Sequence, residues 1–283
     1  MKTGLVLEGG GMRGLYTIGV LDFFMDKGIT ADYVIGVSAG ACNGASFVSK
    51  QKGRSYHVNM DYLGDDRYVS LKNLIKTKSI FGMDFLFDDI PNRLNVFDYE
   101  AFHSSPCEFI AGVTSVSTGK PVYFGKEDMK GYCTVLRASS AIPVFSPMVE
   151  YKGEMYLDGG TSDAIPAKKA VEDGCDRLVV VLTRDRGYVK KPESFRALYK
   201  RVFKDSPNMI KALDERHEIY NSSLKYVKEL EMQGKAIVIA PSKPLKISRF
   251  EKNREKLQWL FDLGESDASQ VLEEVKAFTG KEA

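Results

Sequence analysis

The tightest constraint in this sequence is the step Gly36-Val37-Ser38-Ala39-Gly40. Tyr33 to Val37 is a short run of β-branched and aromatic residues with no charged side chain, which reads as a buried strand. Ala39 to Ser49 is mostly small and apolar and reads as a helix. A serine on so sharp a strand-to-helix turn lifts its hydroxyl out of the sheet, and the flanking glycines remove the Cβ atoms that would clash there. The backbone N–H of Ala39, first in the helix, then points towards any oxyanion formed at Ser38. The pattern is that of a nucleophile elbow; its plain competitor is a tight turn that merely needs glycines.

The residues before it strengthen the first reading. Thr3 to Glu8 is a strand candidate, followed by Gly9-Gly10-Gly11-Met12-Arg13-Gly14. Leu15 to Lys27 is a helix in which Leu15, Ile18, Leu21 and Met25 recur near the helical period, closed by Gly28. Strand, glycine loop, helix, strand, elbow, helix is a βαβα unit, which implies a parallel sheet with helices on its faces. Gly9-x-Gly11-x-x-Gly14 also spells the dinucleotide fingerprint. That reading needs an acidic residue at the far end of the second strand, where Gly36-Val37-Ser38 stands instead. The alternative is that backbone N–H groups of the Gly10–Gly11 stretch face Ser38, with Arg13 adding positive charge or pairing with a nearby carboxylate.

Further along, Ser79 to Phe87 is dense in aromatics. Three readings stay open for it: ordinary core, a cap over an apolar groove bordered by Phe81, Phe85, Leu86 and Phe87, or a lip that touches a membrane. Cys107 to Ser115 and Pro121 to Phe124 flank Ser117-Thr118-Gly119-Lys120 as a β-hairpin. Val135 to Ala141 is a small-residue helical stretch stopped by Pro143. Glu154 to Leu157 is a strand ending in Asp158-Gly159-Gly160, a place for a reactive carboxylate or simply an Asp-Gly turn. Ala164 to Asp173 is a helix, Leu178 to Leu182 a continuous apolar strand, and Arg184 to Pro192 a basic loop. Met209 to Gln233 is a long helix carrying His217, and Ala236 to Ala240 is a strand. Beyond the Pro241-Ser242-Lys243-Pro244 step, which marks a tail boundary, Arg249 to Leu263 and Ser266 to Phe278 are helices.

Composition narrows the function. A net charge of +2 over 283 residues argues against nucleic acid. The longest apolar runs, such as Leu178 to Leu182, fall far short of the roughly 20 residues that span a bilayer. Glu8 and its glycines stand where a signal peptide needs an apolar core, so a cytoplasmic protein is expected. Cys42, Cys107, Cys133 and Cys175 are scattered, as reduced thiols are, and His57, His103 and His217 have no ligand spacing, so no metal site is expected.

Taken together, Glu8-Gly9-Gly10-Gly11-Met12-Arg13-Gly14, Gly36-Val37-Ser38-Ala39-Gly40 and Asp158-Gly159-Gly160 resemble, in order and spacing, the motifs of the patatin-like phospholipase family. Arg137 to Pro143 also resembles a stretch found there, and Glu8 departs from the Asp of the plant members. The resemblance runs from about residue 3 to about residue 185. It implies an α/β/α three-layer sandwich with a mostly parallel central sheet, a patatin-like variant of the α/β-hydrolase type. Residues 1–186 would form the catalytic core and residues 187–283 a helix-rich extension packed on it, similar to that of a bacterial branch. It further implies a serine lipid acyl hydrolase with Ser38 as nucleophile and Asp158 as general base. Gly9, Gly10 and Gly11, with Arg13 nearby, would form the oxyanion hole, and the scheme requires no metal or cofactor. The implied partner is a lipid or acyl ester, met in transient contact with a membrane surface. Two rivals remain: a Ser38-Asp158-His217 triad, and a non-catalytic nucleotide-binding or regulatory protein using the glycine loop.

Overall fold

The computed structural model describes residues 1–129 and 133–280. Its strands are β1 (Thr3–Leu7), β2 (Tyr33–Val37), β3 (Glu108–Ser115), β4 (Pro121–Gly125), β5 (Val149–Tyr151), β6 (Glu154–Asp158), β7 (Arg177–Val181) and β8 (Ala236–Ile239). They form one sheet in the order β5-β6-β3-β2-β1-β7-β8, with β4 also paired to β3. The run β3-β2-β1-β7-β8 is parallel, and β4, β5 and β6 join antiparallel. The helices are α1 (Gly14–Asp26), α2 (Ala39–Val48), α3 (Arg54–Met60), α4 (Leu71–Thr77), α5 (Tyr99–Ser104), α6 (Thr134–Ser139), α7 (Ala167–Glu172), α8 (Arg196–Val202), α9 (Pro207–Met232), α10 (Arg254–Gln270) and α11 (Leu272–Thr279).

Alternation along the strands separates two cores, because successive side chains leave a strand on opposite faces. Leu5, Leu7, Val34, Val179, Val181, Ile237 and Ile239 face the larger core with α1, α2 and α10. Val6, Tyr33, Ile35, Leu178, Val180, Ala236 and Val238 face the other with α7 and α9. The result is a three-layer α/β/α sandwich. Among the described residues no helix is long and apolar enough to cross a membrane.

Several boundaries differ from the sequence reading. β5 is an added short strand pairing with β6. Pro241 to Pro244 is a turn rather than a boundary: β8 before it completes the sheet, and α10 after it packs closely on α1. The penultimate helix starts at Arg254 and runs to Gln270, its N–H ends capped by the Asn253 side chain, which accepts from the Lys256 N–H at 2.9 Å.

Candidate active site

Strand register brings the two motifs together. On one edge of β3, Val37 of β2 pairs with Gly112, where β2 ends. β4 occupies the other edge over Ile110 to Thr114. β6 therefore takes the edge that β2 vacates, and its last residue, Asp158, pairs with Val113. The two strands run head-on along β3, so the chain leaving Val37 and the chain leaving Asp158 meet. This placement depends on β6 running antiparallel, which no local motif encodes.

Ser38 has φ 56° and ψ −126°, the strained conformation of an elbow. Three contacts hold it. Its N–H donates to the Ser139 hydroxyl at 2.7 Å, and that hydroxyl donates to the Gly112 carbonyl at 2.7 Å. Its carbonyl accepts from the Cys42 N–H at 3.1 Å. Gly40 permits the turn because a Cβ there would run into the Leu7 and Glu8 carbonyl oxygens.

Asp158 is buried. Its Oδ1 accepts from the Gly160 N–H at 2.7 Å, its N–H donates to Ala141, and its carbonyl accepts from the Thr114 hydroxyl at 2.9 Å. Burial pushes the carboxyl above its usual range, against the opposing pull of Arg216, the Ser38 side chain and the Gly160 N–H. A carboxylate so desolvated is a stronger base than one in water.

The glycine loop faces this pair. Among the described residues, no acceptor takes a hydrogen bond from the Gly10, Gly11 or Ala39 N–H groups. Gly9 differs from the sequence reading: its N–H donates to the Ala164 carbonyl at 3.4 Å, so it is turned into the fold. Gly11 has φ 56°, and a Cβ there would lie 2.6 Å from the Arg249 carbonyl oxygen, which also accepts from the Met12 N–H at 3.1 Å. Glu8 fixes the base of the loop, accepting from the Thr183 N–H at 2.5 Å and the Tyr220 hydroxyl at 2.8 Å.

Two cavities of opposite character meet at Ser38. One, of about 120 Å³, is mainly apolar and includes Met12, Phe81, Leu86, Phe87 and Phe97 in its walls. The other, of about 50 Å³, is polar and is walled by Asp158, Arg13 and further cations. Phe85, grouped with its neighbours in the sequence, does not reach the apolar cavity. It packs edge-on against Tyr62 at 5.3 Å and under the Arg67 guanidinium at 4.3 Å. Phe85 opens the π-helix Phe85–Leu94, and successive side chains leave a helix in different directions, so it does not share a face with Leu86 and Phe87.

His217 is not at the site. Its Nδ1 meets the Asp214 carbonyl at 3.1 Å, and its Nε2 lies 3.8 Å from Glu218. No histidine lines either cavity among the described residues. Its neighbour Arg216 reaches the site instead, donating to the Gly160 carbonyl at 2.7 Å. Arg184, Lys190, Arg216, Arg249 and Ser139 were not legible as site residues; for Ser139, the local signals are the small-residue stretch containing it and the family resemblance of Arg137 to Pro143.

A family model described as patatin-like phospholipase matches residues 5–171. The chain belongs to the patatin-like phospholipase family. Membership places it among the phospholipase and esterase hydrolases. A domain of unknown function (DUF6363) matches residues 206–280. Among individual proteins, the uncharacterized protein YjjU of Escherichia coli K12 is 31% identical over 249 residues, covering 86% of this chain and 70% of its own. Lysophospholipase nte1 of Aspergillus terreus is 27% identical over 189 residues, covering 64% of this chain but only 12% of that much longer protein. In fold, VipD from Legionella pneumophila matches with TM-score 0.50 at 15% identity, over 96% of this chain and 67% of that one. The β2 end that a dinucleotide reading needs acidic carries Gly36-Val37-Ser38 instead.

Proposed function

We propose that this patatin-like protein is a serine lipid acyl hydrolase that cleaves carboxylic esters of (lyso)phospholipids or related acyl lipids through an acyl-enzyme. The observation that carries the reading is the position of Ser38: beside a buried carboxylate, in the wall of an apolar cavity, and in one polar cavity with Gly10 and Gly11, whose N–H groups have no acceptor among the described residues. Relatives named as lysophospholipases, nte1 of Aspergillus terreus among them, agree with it.

In this mechanism Ser38 Oγ attacks the ester carbonyl as its proton passes to Asp158. The Gly10, Gly11 and Ala39 N–H groups receive the oxyanion. The tetrahedral adduct collapses, the C–O bond to the alcohol breaks, and Asp158 returns the proton to that alcohol. Water then attacks the acyl-Ser38 ester and gives its proton to Asp158. Collapse of the second adduct releases the fatty acid and restores the Ser38 hydroxyl. Arg13 lends positive charge near the loop, and Gly9 shapes it without donating.

Access to lipid falls to α4 in this reading. Leu71 and Ile75, one turn apart, are 71% and 83% exposed, with Lys72 and Lys76 beside them. Such a face suits transient contact with a membrane surface. Assay of the purified chain against lysophospholipids, phospholipids and p-nitrophenyl esters tests the proposal. Release of fatty acid from acyl lipids is expected; turnover of none of them would overturn it.

A further inference from the structure

The polar cavity holds more positive charge than the ester chemistry uses. Five cations reach it: Arg13, Arg184, Lys190, Arg216 and Arg249. Lys190 and Arg216 share one carboxylate, Glu193, at 3.2 and 2.6 Å. Both Glu8 oxygens are occupied by Thr183 and Tyr220, and Asp158 Oδ1 is held by Gly160. Among the described residues, no carboxylate lies within ion-pair distance of Arg13, Arg184 or Arg249. Arg13 is 8% exposed, and its Nε has no hydrogen-bond partner.

Five cations meet three carboxylates here, Glu8, Asp158 and Glu193, so the counter-charge is incomplete, and crowding guanidinium groups in this way is unfavourable, since each loses water and repels the others. Burial, with neighbouring arginines adding to it, lowers Arg13 to about 10 and Lys190 to about 8. An anion entering the cavity would reverse that balance, and planar guanidinium forks suit the oxygens of a phosphate. Position supplies the rest. The apolar and polar cavities both touch Ser38, Gly11 and Ile142. With an acyl chain in the first and its carbonyl at Ser38, the alcohol portion of the ester points into the second. Arg184 follows β7, Lys190 lies in the loop beyond it, Arg216 is on α9 and Arg249 precedes α10, so four of the five cations are C-terminal to α7.

We propose that this cavity is an anion site, supplied chiefly by the C-terminal segment, that receives a phosphate on the alcohol side of the ester. The proposal rests on the hydrolase reading for its substrate, and it makes Arg184 and Arg249 specificity-determining residues. The shared chemistry is a phosphate monoester or diester; a lipid head group and free inorganic phosphate are its two sources.

The experiment compares the 283-residue parent with the Arg184→Gln/Arg249→Gln double variant. Hydrolysis of 1-oleoyl lysophosphatidate is measured beside that of 1-oleoylglycerol, which has the same chain and no phosphate. The ratio of kcat/KM values, phosphorylated over neutral, should fall at least about tenfold, as expected when charge-assisted bonds to a phosphate are lost. The melting temperature of the variant should hold or rise, because repulsion is relieved. An unchanged ratio, or a fall in melting temperature with equal loss on both lipids, would overturn the site. A second arm titrates the parent and the variant with inorganic phosphate alone, following melting temperature. Stabilisation in the parent that the variant lacks supports the site even if no lipid is turned over, in which case the hydrolase reading fails and the anion site stands. Inorganic phosphate that competes with lysophosphatidate only weakly assigns the site to the head group; competition as strong as the lipid's own binding assigns it to the free ion.

Discussion

The backbone N–H of Ser38 donates to the hydroxyl of Ser139 across 2.7 Å, and that bond ties the strained elbow to the carbonyl of Gly112 in the sheet. Ser139 is fully buried. In Ser139→Ala a buried donor and a buried acceptor lose their partner, which costs about 1–3 kcal/mol for each group left unpaired. Chemical denaturation should show lower stability, with kcat falling because the nucleophile is held less firmly. Full stability in that variant would show that the elbow needs no such anchor.

Asp158 and His217 should behave oppositely. Asp158→Asn keeps the shape and removes the base, so kcat/KM should fall at least about a hundredfold. His217→Ala should stay within roughly a few-fold of the parent, since its partners are Asp214 and Glu218. A loss in His217→Ala matching that of Asp158→Asn would restore the triad.

The same carboxyl sets a pH dependence. Because its folded pKa is raised, Asp158 holds a proton at pH values where the unfolded chain has released one. Its contribution to stability therefore declines as pH rises from the usual carboxylate range through the raised pKa. Asp158→Asn should melt above the parent at neutral pH, with the gap closing towards pH values near 4, the ordinary carboxylate pKa. Activity of the parent should run the other way, falling with acid as the base becomes protonated. A gap that widens in acid would contradict the assignment.

Both candidate motifs stand out in the sequence because each is a local backbone device: a glycine-flanked serine between strand and helix, and an aspartate before two glycines. The parallel core followed from alternating strand and helix signals over the first fifty residues. What stayed hidden arises from tertiary placement. Arg216 and His217 are adjacent in sequence, yet helical rotation sends one to Gly160 and the other to the Asp214 carbonyl. Arg249 enters the site through a loop with no motif, and the N–H of Gly9 is set apart from that of Gly10 by its bond to Ala164.

Phe85 and Leu86 divide the same way. Phe85 is a buried packing residue, so Phe85→Ala should lower stability by about 3–5 kcal/mol and depress activity on every substrate alike. Leu86 is half-buried and walls the apolar cavity, so Leu86→Gln should weaken long-chain esters more than short ones. Rates on a series of p-nitrophenyl esters, from butyrate to palmitate, check both. A change in chain-length preference in Phe85→Ala equal to that in Leu86→Gln would return Phe85 to the cavity wall.

The central claim is that Ser38 is the nucleophile. Its most direct measurement is peptide mass mapping after reaction with a fluorophosphonate probe. One adduct per chain is expected, on the peptide containing Ser38, and none in a folded Ser38→Ala variant. An unlabelled parent, or an adduct at another residue that persists in Ser38→Ala, would contradict the account.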